Sequence, residues 1–100
     1  METKAIISKE VNELLLKGGN NYKGNDNSGK PKTDFLQKLV DSSDEKLYEE
    51  CKQYIWLSAY ASNNHRSDYH YMCDACYDEC QRRGKGEIYT KAHKSVSSSI

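Results

Sequence analysis

Neither sign of charge is in excess: fifteen Lys and Arg face fifteen Asp and Glu. A formal net charge of zero excludes general electrostatic capture of DNA or of an anionic membrane, which needs a basic surplus. Only a local patch could serve that purpose. Long apolar runs are missing as well. Nothing approaches the ~20 consecutive apolar residues of a membrane span. The opening METKAIISKEVNE has neither the continuous apolar region nor the small-residue cleavage site of a secretory signal. A cytoplasmic location is therefore expected, where disulfides are uncommon. The four cysteines are read first as thiols or ligands. Alternating strand patterns and internal repeats are also lacking.

What the chain does have is tyrosine and helical spacing. Eight Tyr accompany one Trp and one Phe. Tyrosine joins apolar bulk to a polar tip and is enriched where proteins touch. Hydrophobic residues make up 36% of 100, enough for one small domain with a thin core.

Ser8 is placed to cap a helix from about Lys9 to Lys17, with Glu10 in its positive first turn and Val11, Leu14 and Leu15 at helical spacing. Gly18 and Gly19 stop it. Residues 18–32, GGNNYKGNDNSGKPK, are rich in Gly and Asn and predict a flexible loop. Thr33 then caps a short helix whose apolar side is Phe35, Leu36, Leu39 and Val40. Ser42 with Glu45 three residues on fits a capping box for a helix over about 44–61. Asn63 and Asn64 break it, Ser67 and Asp68 restart it, and a helix over about 68–83 ends in two arginines and Gly84. A short helix from about Glu87 to Ser95 follows, and 96–100 should fray. The fold class is all-α: one helical domain over 1–100, of four to five helices, built around a central antiparallel αα-hairpin of about 44–61 and 68–83.

The stretch HYMCDACYDEC, His70 to Cys80, concentrates one histidine and three cysteines. On a helix at about 100° per residue, Cys73, Cys76 and Cys80 form one stripe with His70 at its edge. On the preceding helix, Leu47, Cys51, Tyr54, Ile55, Ser58 and Ala61 share a side, so Cys51 faces the other cysteines. Two accounts fit. Free cysteine is a small, commonly buried hydrophobe that lets helices approach closely. Alternatively His70, Cys73, Cys76 and Cys80, with Cys51 as a substitute fourth, carry the ligand types of a zinc site. Spacing disfavours zinc: Cys73 and Cys80 lie about 10.5 Å apart along a straight helix, and the Gly-rich knuckle of a CxxC zinc loop is absent. The expectation is structural thiols and no cofactor, with Zn as the alternative. The CxxC at 73–76 lacks the βαβ context of a redox motif.

Other features are weighed the same way. Residues 24–30, GNDNSGK, match the glycine and lysine spacing of a phosphate loop. Pro31, however, stands where the magnesium-holding Ser or Thr belongs, and no strand precedes the loop. His65, Arg66, Asp68 and His70 cluster at the hairpin turn without a nucleophile or oxyanion hole and read as a solvated tip. His93, between lysines, reads as surface. Basic Arg82, Arg83, Lys85, Lys91 and Lys94 and acidic Asp44, Glu45, Glu49 and Glu50 fall near one another in an antiparallel hairpin. Mutual ion pairing explains both groups, with nucleic-acid contact the unfavoured alternative. Trp56 points away from the cysteine side, with Tyr60 about 40° round. A central helix covered on both sides would make Trp56 core. Uncovered, it becomes an anchor for a partner.

The function expected is a non-enzymatic, protein-binding accessory protein: an inhibitor or modulator of a host enzyme or complex, encoded by a phage or mobile element. The expected contact surface is Trp56, Tyr60, Asn64, His65, Arg66, Tyr69 and Tyr71. A zinc-stabilised helical module touching nucleic acid is the alternative.

Overall fold

The computed structural model describes residues 7–98. The described residues form five α-helices and no strand: α1 (Lys9–Gly18), α2 (Lys32–Val40), α3 (Asp44–Tyr60), α4 (Asp68–Arg82) and α5 (Gly86–Ser98). The all-α expectation holds. A 3-10 turn, Gly19–Tyr22, follows α1.

Three of the helices, α1, α3 and α4, start behind a serine whose side chain accepts from a backbone N–H of the first turn. The Ser8 Oγ accepts from the Val11 N–H at 3.2 Å, and the Ser67 Oγ accepts from Tyr69 at 3.2 Å. Such a cap contributes about 1 kcal/mol. Two expected caps are displaced. α3 is capped by Ser43, whose Oγ accepts from Lys46 at 3.1 Å, and not by Ser42. The Ser42 hydroxyl instead donates to the Lys38 carbonyl at 2.7 Å, closing α2. α2 begins at Lys32 behind Pro31, ahead of Thr33.

α4 is the element the rest is wrapped around, because it packs against each of the other four helices. α3 packs against both α4 and α5. Ser58 meets His70 close to the connecting turn, and Cys51 meets Cys80 farther along, so α3 and α4 run in opposite directions. The core takes Val11 and Leu14 from α1, Phe35, Leu36 and Leu39 from α2, and Leu47, Cys51 and Ile55 from α3. Ala75, Cys76 and Cys80 of α4 and Ala92 and Val96 of α5 join them, together with the rings of Tyr22, Tyr54 and Tyr71. Each large apolar side chain so enclosed is worth roughly 1.5–3 kcal/mol. Phe35 of α2 sits edge-on to Tyr54 of α3 (5.2 Å) and Tyr71 of α4 (6.0 Å), which ties three helices at one aromatic point.

The segment expected to be a plain loop has a defined path. Tyr22 is fully buried, and its hydroxyl donates to Asp78 on α4 at 2.5 Å. Asn21 adds a hydrogen bond to Asp74 of α4 at 3.0 Å. The expected frayed tail is also displaced: α5 continues to Ser98 and buries Val96, because Ile88, Ala92 and Val96 recur every four residues and keep one face on α3. Residues 99–100 of that tail lie outside the described residues.

Candidate functional site

The side of α3 that carries Trp56 is the one left uncovered. The buried stripe of α3 faces α4 and α5, and α4 rather than α3 occupies the centre. Trp56 is 48% exposed and Tyr60 77%, so of the two placements weighed for Trp56, covered in the core or open to solvent, it takes the open one. Standing one helical turn apart, the two rings stack, with centroids 5.4 Å apart and planes 7° from parallel. Beside them runs a groove of about 800 Å³ between α3 and α5, bordered by Lys46, Lys52, Gln53, Trp56, Leu57 and Val96. At its edge lies Glu50, buried and paired with Lys38 of α2 at 3.0 Å. That contact raises the Lys38 ammonium above its usual value, chiefly through the hydrogen bond to Glu50. The groove therefore offers apolar and aromatic surface, bordered by charges of both signs.

The turn after α3 presents Asn64, His65 and Arg66 to solvent. Its backbone is firmly held. The Asn64 Oδ1 accepts from the Arg66 N–H at 3.1 Å. His70 Nε2 donates to the carbonyls of Ala61 (3.1 Å) and Asn64 (2.9 Å), and Nδ1 meets the Ser58 hydroxyl at 2.7 Å. His70 thereby closes the carbonyl end of α3, where such groups lack intrahelical partners. The long loop braces the turn from outside. The Asn27 N–H reaches both carboxylate oxygens of Asp68 (3.2 and 3.1 Å), and its side-chain amide donates to the Arg66 carbonyl at 2.8 Å.

The remaining expected contact residues part company with this surface. Tyr69 is exposed but lies against Tyr54 (6.3 Å), a residue about 200° round α3 from Trp56. Tyr71 is buried at 3% exposure, under the Lys32 ammonium, and cannot meet a partner. Its position on α4 points it at Phe35. Burial raises its phenol pKa above the ordinary value.

The cysteines divide. Cys51 and Cys80 are fully buried with sulfurs 3.7 Å apart. Cys76 is buried beside Cys51. Cys73 turns instead to the Tyr89 hydroxyl of α5 at 3.4 Å. Contact with a neighbouring thiol, then burial, holds Cys51 and Cys80 above the usual thiol pKa; burial does the same for Cys73. With His70 engaged at the turn, the residues weighed as zinc ligands do not meet at one point. Among the described residues no group of three or more His, Cys, Asp and Glu is arranged to hold a metal ion. The phosphate-loop-like stretch closes on itself, since the Asp26 carboxylate takes the Ser28 and Lys30 N–H groups at 2.9 Å each. A carboxylate of the chain occupies donors that a phosphate would use.

The basic cluster divides: Arg82 and Arg83 turn inward, while Lys85, Lys91 and Lys94 stay exposed. Glu79 of α4 is fully buried and is gripped by Arg82 (2.7 and 2.8 Å) and Arg83 (2.7 Å). Arg83 also reaches Asp44 (2.9 Å) and the carbonyls of Leu39 (2.8 Å) and Ser42 (2.7 Å). Lys85 pairs with Asp44 at 2.5 Å. Glu79 did not stand out in the sequence, although its spacing of three and four from two arginines was a visible signal. Comparison of the chain with protein-family models, with curated proteins and with solved structures finds no match.

Proposed function

We propose that the protein is a non-enzymatic helical binding module that docks a protein partner on the Trp56–Tyr60 stack and the adjoining α3–α5 groove. One observation carries the reading: two large aromatic faces are stacked and open to solvent on a helix whose other sides are covered. Trp and Tyr at the centre of an interface supply most of its binding energy, and holding them in a stack before binding lowers the entropic cost of docking. The groove supplies apolar contact beside them, and its mixed charges suit a polar rim. The exposed residues Asn64, His65 and Arg66 extend this surface past the end of α3. The partner proposed is a host enzyme or complex that the protein inhibits or modulates, as an accessory factor of a phage or mobile element would.

The test is capture from a host lysate with wild type and with Trp56→Ala, followed by titration of a purified protein that only wild type retains. Trp56→Ala is expected to weaken that complex by roughly 30-fold, the loss of about 2 kcal/mol typical of a hot-spot residue. Its melting temperature should stay within a few degrees of wild type, because the ring is half exposed. Equal affinity of the two forms for every recovered protein refutes the assignment.

A further inference from the structure

Cys51 of α3 and Cys80 of α4 are fully buried and bring their sulfurs to 3.7 Å, about the distance at which two sulfurs touch without bonding. They lie 29 residues apart in sequence, on helices running in opposite directions. Cys73 is out of this contact, occupied by Tyr89. Cys76 lies one turn before Cys80 on the same helix and flanks the Cys51 thiol. We propose that Cys51 and Cys80 close into a reversible disulfide when the protein meets an oxidant, stapling α3 to α4 beneath the face that carries Trp56.

The oxidant is a peroxide, small enough to enter where larger reagents are excluded. One thiol takes an oxygen from hydrogen peroxide to give a sulfenic acid and one water. The second thiol attacks that sulfur, the S–S bond forms, the S–O bond breaks, and a second water leaves with the thiol proton. Two thiols and one peroxide become one disulfide and two waters, each sulfur giving up one electron. A dithiol reductant reverses the change by exchange. Geometry asks for the sulfurs to close to about 2.05 Å, which side-chain rotation and a small approach of the two helices share. Both thiols are held in the protonated form, Cys51 chiefly by its contact with Cys76 and then by burial, Cys80 by its contact with Cys51 and then by burial. The staple therefore forms slowly and answers sustained oxidant, and the partly exposed Cys73 is the first to react with bulky alkylating reagents.

The test uses the full reduced chain under native conditions. It is treated with hydrogen peroxide, blocked with a maleimide, weighed intact, digested without reductant, and melted with and without dithiothreitol. The expected result is a monomer whose mass, after subtraction of any maleimide carried by Cys73 and Cys76, is lower by two hydrogens, and whose linked peptides contain Cys51 and Cys80. Its melting temperature should rise by about 15 °C, since the bond closes a loop of some 30 residues, and dithiothreitol should cancel the rise. Cys73→Ser is expected to behave as wild type. The pairing is mapped on wild type, so the result does not depend on whether Cys80→Ala folds. A bond from Cys51 to Cys76, any bond to Cys73, a covalent dimer, or oxidation without pairing overturns the proposal.

Discussion

Among the described residues Arg83 joins α4 to Asp44 and to the carbonyls at the end of α2, and its replacement by methionine tests whether the Glu79 network holds the fold. Methionine keeps the length and apolar stem and removes the fork. Glu79, fully buried, would keep its two hydrogen bonds to Arg82 and lose the one to Arg83. The Ser42 carbonyl just past α2 would lose its Arg83 donor, the Leu39 carbonyl would keep only the Ser42 N–H, and Asp44 would keep Lys85 alone. Breaking a buried ion pair costs about 3–5 kcal/mol. Retention of Arg82 pulls that toward the lower end, while each unserved carbonyl adds about 1 kcal/mol. The expected loss is therefore about 3–5 kcal/mol, out of a total near 5–15 kcal/mol for a domain of this size. Circular dichroism should show melting lowered by about 15 °C or more. Arg82→Met should cost less, because Arg82 serves only Glu79 and, at 3.7 Å, the half-exposed Glu13. A variant Arg83→Met that melts within about 3 °C of wild type, or later than Arg82→Met, refutes the reasoning.

Two further outcomes follow from the same physical reading. A methyl group at Gly18 would run into the ring of Tyr22, so Gly18→Ala should destabilise by about 1–3 kcal/mol. In a Tyr22→Ala background the same change should cost little, and additive effects in urea unfolding would contradict the close approach. Asp44 titrates below the ordinary carboxylate range because Lys85, and then Arg83, hydrogen-bond its charged form. A depressed folded pKa means stability that is present above about pH 4, the unfolded value, and is lost as pH falls through the folded one. The melting difference between wild type and Asp44→Asn should thus be full at pH 7 and close on acidification below about pH 4; a gap independent of pH would exclude the ion pairs as its source.

Helix positions were legible because the signals were local: Ser8 and Ser67 as caps, Gly84 as a stop, and the four-residue spacing of apolar side chains. The neighbouring serines before α3 were harder. Both can cap, and the choice of Ser43 over Ser42 depends on the Lys38 carbonyl that Ser42 meets. Cys51 opposite Cys80 could be read from helical angles alone, since both helices are long enough to keep their phase. Trp56 could not. Whether it is covered depends on which helix takes the centre, and that is set by five faces competing for contact. Tyr71 was misplaced for the same reason: α4 is wrapped on several sides, so a tyrosine near its start is enclosed by α2. Tyr22 shows the converse, a single aromatic in a polar stretch that found a cavity beside α4 and carried the loop with it.

The chain's one indole sits on the outside of α3, where about half of it stays wet in the folded chain. Its emission is consequently a poor gauge of unfolding and a sensitive gauge of company. Whatever dries that ring shifts its fluorescence, so the molecule carries an intrinsic optical sensor at the place where contact is proposed.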